Sequence, residues 1–307
     1  MPVHNSDIPK TAIITPFGTY TFNYSCFGLK NSGATFQRLM DGILGDLPFC
    51  VCYVDDILIF SNNKDEHLKH VVTVLEKLKE NGLVVQKDKC QFATNTVSFL
   101  GHHITSSGIE PLASKIHAIQ VFPKPKTVKQ LQEFIGMINF YHRFIPKIAH
   151  TLTPLYQLLK GKPKDLAWTD EANVAFNNAK TALSTAVKLN FPDPSCKLQI
   201  TTDASNVAIG AVLEQVKNGT PQPLAFFSRK LSKAEANYST FDRELLAIYT
   251  TVRHFSHLLE GISFDILTDH KPIVHAFTKI SDSASNRQRR HLSAISEFNP
   301  SNPNRSP

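Results

Sequence analysis

The sequence predicts a mixed α/β protein of the α+β kind, and three observations predict it. Short runs of β-branched and aromatic residues alternate with stretches whose apolar residues recur at helical spacing. Pro and Gly punctuate the boundaries between them. Hydrophobic residues make up 42% of the 307, enough for ordinary packed cores, and the length suggests about two or three domains.

Residues 1–30, rich in Thr, Phe and Tyr, read as short strands joined by turns. A helix over 31–44 carries Ala34, Phe36, Leu39 and Met40 as its apolar members. The apolar run 49–60 reads as a β-hairpin with Asp55 and Asp56 inside it. Residues 65–81 form an amphipathic helix with Leu68, Val71, Leu75 and Leu78 as its stripe and Gly82 as its stop. Residues 83–101 read as strands. Pro111, Pro123 and Pro125 bound a short helix. Thr127 and Gln130 make a capping box before Leu131, Phe134, Ile135 and Ile138, and Pro146 and Pro154 end that segment. Residues 161–164 look like a linker. Beyond it come a helix over 170–184, strands over 198–203, 210–216 and 224–228, a long helix over 240–259 and a strand over 264–268. Core positions are expected at Ile57, Ile59, Leu75, Phe134, Ile200, Leu246 and Ile266.

Lys and Arg number 33 against 26 Asp and Glu, a net charge of +7, which permits a polyanionic partner without demanding one. No apolar run is long enough to cross a bilayer, so no membrane partner is expected. Five scattered cysteines, none at zinc-knuckle spacing, fit a reducing intracellular compartment, and Cys50 and Cys52 should share one face of a strand.

Chemistry is concentrated in acids. Asp55 and Asp56 stand among Val, Ile and Phe, where burying charge costs several kcal/mol unless a cation compensates it; the alternative is a hairpin turn that happens to carry two Asp. Asp203 and Asp269 end strands and Glu244 lies inside a helix. Singly, each also reads as a surface acid. As an ordered set from three elements they suit divalent-cation chemistry on phosphodiesters, where two ions about 4 Å apart neutralise the attacking and leaving oxygens. His67 and His70 read as the solvated side of their helix, and His102-His103 as exposed residues or contact residues. Arg287, Arg289, Arg290 and His291 form a basic cluster that suits either a phosphate backbone or a solvated helix face.

From about residue 2 to 298 the chain resembles the reverse transcriptase–ribonuclease H region of gypsy-like LTR-retrotransposon polyproteins. The residues that carry the resemblance are Phe27-Gly28-Leu29-Lys30-Asn31, Ala34-Thr35-Phe36-Gln37-Arg38-Leu39-Met40, Tyr53-Val54-Asp55-Asp56, Lys89-Cys90-Gln91-Phe92 and Phe99-Leu100-Gly101-His102. Farther on they are Asn139-Phe140-Tyr141, Arg143-Phe144-Ile145, Pro154-Leu155, Thr202-Asp203-Ala204-Ser205, Arg243-Glu244-Leu245-Leu246-Ala247 and Thr268-Asp269-His270-Lys271-Pro272.

That resemblance implies a partial right-hand polymerase (palm and part of the fingers) over 1–104, a mainly helical thumb or connection over 105–166, a ribonuclease H-like α/β domain over 167–300 and a disordered tail over 301–307. It implies Asp55 and Asp56 as polymerase metal ligands, Phe27 and Gly28 as part of the nucleotide pocket, Gln37 near the template and Lys89 beside phosphate. Phe99, Leu100, Gly101 and His102 would be the primer grip. Asp203, Glu244 and Asp269 would hold the nuclease metals. The implied cofactor is Mg²⁺ or Mn²⁺, two ions per site. Implied partners are RNA/DNA primer–template, RNA–DNA hybrid, dNTPs and the remaining polyprotein segments, in the cytoplasm (in a virus-like particle) or the nucleus.

The pattern departs from the family in places. Cys26 and Gly33 stand where the family usually has proline. A further metal-binding aspartate would fall on the order of ten residues before Met1, and a fourth nuclease acid beyond Phe298, which leads to the expectation of impaired catalysis. Three readings follow: an active polymerase and nuclease, a remnant that binds nucleic acid without turnover, and a structural module.

Overall fold

Many of the helix starts in this chain are set by side-chain oxygens. Asn63, Thr127, Thr169, Ser232, Ser239 and Ser285 each accept from a backbone N–H of the first turn, and Thr127, Ser232 and Ser285 complete capping boxes. The structure, a computed structural model, describes residues 1–161, 163–278, 284–298, 300 and 304–305. They divide into two compact units, residues 1–99 and 100–307.

In the first unit, β1 (Ile13–Thr15) pairs antiparallel with β2 (Gly18–Tyr20). Helix α1 (Ser32–Leu44) is followed by the antiparallel hairpin of β3 (Cys50–Tyr53) and β4 (Asp56–Ile59), then by α2 (Lys64–Glu80) and a short strand β5 (Thr96–Phe99). Met40, Ile43 and Leu44 of α1 meet Val74 and Leu78 of α2, with Cys50, Cys52, Ile57 and Ile59 packed against them. The expected stripe on α2 is therefore displaced. Leu68 is 67% exposed and Leu75 is 40% exposed. Both lie roughly 80–100° around the helix from the row that faces α1, because 3.6 residues make a turn. Residues 83–95 are not strands: the chain there is irregular, with one 3₁₀ turn at Lys87–Lys89, and Val84 is fully exposed without a sheet partner.

The second unit begins with the antiparallel pair β6 (His102–Thr105) and β7 (Gly108–Pro111). Helices α3 (Ala113–Gln120), α4 (Val128–Phe140), α5 (Ile148–Leu158) and α6 (Asp170–Ser184) enclose a core that includes Leu131, Phe134, Ile138, Leu152, Phe176 and Leu183. Pro154 lies inside α5 and removes an amide donor there instead of ending a helix. Strands β8 (Lys197–Ala204), β9 (Ala208–Lys217) and β10 (Thr220–Lys230) form an antiparallel meander. A short α7 (Lys233–Ala236) precedes α8 (Thr240–His254), α9 (Ser256–Leu259) and β11 (Phe264–Thr268). The long helix expected over 240–259 is thus two, divided where Phe255 turns into the core. After it come α10 (Lys271–Thr278), α11 (Asn286–Ser296) and β12 (Asn304–Arg305).

Sheet order is β10-β9-β8-β11-β12, with β11 parallel to both neighbours. Alternation along β8 sends Leu198 and Ile200 toward α8, where they meet Leu245 and Ile248. The odd-numbered residues face the other way. Helix α5 packs on β9 and β10, so the helical segment 105–166 shares a unit with the sheet. Of the expected tail, 301–303 and 306–307 lie outside the described residues, and the backbone of 304–305 is paired with β11 instead of free.

Phe134 is wholly buried and Leu68 is not, so the two truncations should differ sharply. Phe134→Ala is expected to cost about 3–5 kcal/mol and Leu68→Ala about 0.5 kcal/mol or less in denaturant titrations.

Candidate active sites

The hairpin that carries Asp55 and Asp56 turns in two residues, since Tyr53 pairs with Asp56. Val54 takes the left-handed region at φ 55°, which strains a β-branched residue. Gln37, from α1, holds the turn in place. Its Oε1 accepts from Val54 N at 2.6 Å, while its Nε2 donates to Cys52 O at 3.1 Å and to Asp41 Oδ1 at 2.7 Å. Both amide hydrogens are thereby used on the hairpin and on α1. Below the turn, the Cys52 thiol is pushed up to about 11, first by burial and then by Cys50, Asp41, Asp55 and Asp56, so it stays protonated. Asp55 and Asp56 themselves are exposed. Contrary to expectation, burial of these acids demands no cation: the turn lifts both out of the apolar run, while Cys50 and Cys52 share its inner face as expected.

Other residues of the first unit are placed as follows. Phe27 is fully exposed, and Gly28 is left-handed at φ 87° with open space where a Cβ would stand. Lys89 ends the exposed 3₁₀ turn. His70 is not solvated: its ring stacks on Phe49 at 3.5 Å and its Nδ1 lies 2.7 Å from Ser61 Oγ.

Phe99 closes β5, and the next two residues, Leu100 and Gly101, are both left-handed. Gly101 O accepts from Tyr141 Oη at 2.9 Å and from Leu112 N at 3.0 Å. His102 sits among the rings of Phe140, Tyr141 and Phe144, 5.4–5.7 Å between centroids, so it is an aromatic-cage residue and not an exposed one.

In the second unit, Glu244 decides the site. It is 4% exposed, held by α8 above the end of β8. Its Oε1 accepts from Ala204 N at 3.2 Å, and its Oε2 has no hydrogen-bond partner among the described residues. Burial pushes its carboxyl up to about 7. The Ala204 N–H pulls the other way, and the charges of Asp203 and Asp269 push further upward. Asp203 stands on β8 and Asp269 directly follows β11, the parallel neighbour of β8. The three acids thus share one electrostatic neighbourhood. Asp203 is also bound by Lys147 Nζ at 2.5 Å. The basic cluster of α11 is partly spent inside the fold: Arg287 pairs with Asp242 at 3.1 Å and lies over the Tyr238 ring, and His291 stacks on Tyr249.

Three carboxylates from separate elements, one buried with an oxygen to spare, fit a hard divalent cation in chemistry. Among the described residues, though, no three His, Cys, Asp or Glu side chains are gathered closely enough to grip an ion as they stand. The five expected ligands are brought into two neighbourhoods, not into finished cages. Sequence reasoning missed Asp41 and Lys147. No local signal marks Lys147, which meets Asp203 across 56 residues of chain.

A family model described as reverse transcriptase (RNA-dependent DNA polymerase) matches residues 1–104, and one described as RNase H-like domain found in reverse transcriptase matches residues 168–266. The transposon Tf2-3 and Tf2-4 polyproteins of Schizosaccharomyces pombe (strain 972 / ATCC 24843) are each 37% identical to the chain over 302 residues, 97% of its length. The chain belongs to the reverse transcriptase–ribonuclease H family of retrotransposon polyproteins. It spans 23% of the length of those two relatives. Reverse transcriptase and ribonuclease H families use divalent metal ions.

Two solved structures of foamy viral protease-reverse transcriptase share the fold of this retrotransposon-family chain. One, the dRH form in complex with double-stranded DNA, superposes with a TM-score of 0.84 at 23% identity, covering 99% of this chain and 54% of that one. The other, in complex with RNA/DNA hybrid, gives 0.80 at 23% identity, covering 98% and 41%.

Gln37→Leu should cost about 1–3 kcal/mol, because Val54 N–H and Cys52 O lose their partner, and hydrogen exchange at the Val54 amide should accelerate. For Glu244 the sign follows from a folded pKa of about 7 against the usual 4.5. Below pH 4.5 the group is protonated whether folded or unfolded and contributes nothing. Between 4.5 and 7 the unfolded chain releases its proton first, so stability falls, and above 7 the full penalty remains. In EDTA, Glu244→Gln should match the wild type near pH 4 and exceed it by on the order of 2–3 kcal/mol at pH 8. Parallel pH profiles would contradict this.

Proposed function

We propose that residues 100–307 carry a ribonuclease H centre that cleaves the RNA strand of an RNA–DNA hybrid. Residues 1–99 would contribute the Asp55–Asp56 hairpin of an RNA-directed DNA polymerase acting on primer–template and dNTPs. The observation that carries this is Glu244: a buried carboxylate with one oxygen unpaired among the described residues, under the charges of Asp203 and Asp269. A fold that tolerates so unfavourable a group gains from it when a cation binds. Bound divalent ions would neutralise charge on the phosphodiester oxygens and lower the pKa of an attacking water.

The residues of the chain do the rest. Asp203, Glu244 and Asp269 would supply the nuclease ligands, and Asp55 and Asp56 those of the polymerase. Phe27 offers an open aromatic face for a base, and Gly28 a bare backbone that phosphate can approach. Lys89, at the end of its exposed 3₁₀ turn, would offset phosphate charge. Gln37 would act on the template through the turn it holds. Phe99, Leu100, Gly101 and His102 would form the primer grip, with Gly101 fastened by Tyr141. A cavity of about 660 Å³ beside α5 is lined mainly by the apolar surface of Ile148, Leu152 and Tyr156, with Lys230 at its edge and Arg229 already paired with Glu235 at 2.9 Å. The two foamy viral proteins solved with double-stranded DNA and RNA/DNA hybrid support the same substrate class. The five cysteines are free thiols, in keeping with an intracellular site.

A second reading, a nucleic-acid-binding remnant, is favoured for the first unit by the exposure of Asp55 and Asp56, which leaves them no buried charge for a cation to compensate. Turnover separates the two. Labelled hybrid incubated with the chain and Mg²⁺ or Mn²⁺ should be cut on its RNA strand. Asp203→Asn or Asp269→Asn should lower that rate by at least about 10–100-fold while hybrid binding persists. Primer extension should disappear with Asp55→Asn. Salt-dependent binding without any cleavage would leave the remnant, and cleavage indifferent to Asp203→Asn would overturn the assignment of the site.

A further inference from the structure

Lys147 reaches Asp203 by a route that several elements build together. Ser228, Gly210 and Asp203 form one row across the sheet: Gly210 pairs with Ser228 on one side and with Asp203 on the other. Directly paired residues project to the same face, here the face opposite α8. Ser228 Oγ accepts from Ala149 N at 3.0 Å and so fastens the first turn of α5 to β10. Just before that turn, Lys147 adopts the left-handed region at φ 50°, an uncommon conformation for a non-glycine residue. Its aliphatic stem crosses the sheet over Gly210, where a Cβ would stand only 3.2 Å from Lys147 Cγ. Its ammonium then meets Asp203 Oδ2 at 2.5 Å.

Anchor, backbone and gap serve one contact, between a lysine and the first acid of the nuclease set. An ammonium ion and a hard divalent cation seek the same carboxylate oxygen. Resting on the metal-dependent reading above, we infer that Lys147 is a tethered counter-ion that competes with the divalent cation for Asp203 and sets how tightly the nuclease site takes its metal. Lys147 is then a positioning residue: it acts on Asp203, and its displacement accompanies loading of the site. Both partners are half or more exposed, so the effect is modest. Exposed pairs of this kind are worth about 0.2–1 kcal/mol, which corresponds to roughly 1.4- to 5-fold in a binding constant.

The test is Mn²⁺ binding to the full chain, followed by electron paramagnetic resonance of the free ion, with Asp203→Asn defining which sites belong to the nuclease centre. Lys147→Met should tighten the Asp203-dependent site by roughly 1.4- to 5-fold. Lys147→Arg should restore the wild-type affinity, because a guanidinium keeps the pair. Lys230→Met, which removes a nearby lysine that lines the cavity beside α5, controls for loss of general positive charge. Circular dichroism melts identify any variant that does not fold, and Lys147→Gln then replaces Lys147→Met. If no Mn²⁺ binding depends on Asp203, the metal site and this inference both fall. If such binding exists but Lys147→Met leaves it unchanged or weaker, or Lys230→Met tightens it equally, the metal site stands and the role of Lys147 is overturned.

Discussion

A carboxylate held out of water is the constraint on which the second unit turns. Glu244 is placed by α8, whose start is capped by Ser239 and whose inner face is locked by Leu245 and Ile248 against the sheet. One of its oxygens takes the Ala204 amide and the other has no hydrogen-bond partner among the described residues. Such a group costs stability in isolation. The charges of Asp203 and Asp269 make it worse for a bare protein and better for one that binds a cation. The sheet topology follows the same logic. Parallel pairing of β8 with β11 brings Asp203 and Asp269 to the same end of the sheet, although 66 positions of chain number separate them.

The first unit solves a different problem. Its two acids are exposed, so burial does not fix them; the turn does. Val54 pays about 1–2 kcal/mol for a left-handed backbone, and Gln37 offsets it with three hydrogen bonds that span the turn and α1. Orienting exposed carboxylates by a turn and holding a buried one by a helix are two ways of placing acids, and among the described residues neither closes a cation cage as it stands.

Much of this was legible in the residues. The 170–184 helix and the 264–268 strand fall where the sequence places them, and the Thr127–Gln130 capping box forms as expected, because those signals are local. The Asp, Glu, Asp order on strand, helix and strand was legible too. What escaped was set by contacts between distant segments. Leu68 and Leu75 fit the helical stripe of α2, but the partner surface of α1 covers only the row through Val74 and Leu78. Residues 83–95 have strand-like composition and find no strand to pair with. The role of Gln37 in holding the turn, and the meeting of Lys147 with Asp203, depend on register across the fold, to which no single-sequence rule gives access.

The central claim is that Asp203, Glu244 and Asp269 close on a divalent cation. The most direct measurement is a crystal structure of the chain grown with Mn²⁺, with data collected at the manganese absorption edge. Anomalous density bonded to the free oxygen of Glu244 and to the carboxylates of Asp203 and Asp269 is the expected result. A fully ordered site in which Glu244 remains without a metal, while manganese binds only elsewhere, would contradict it.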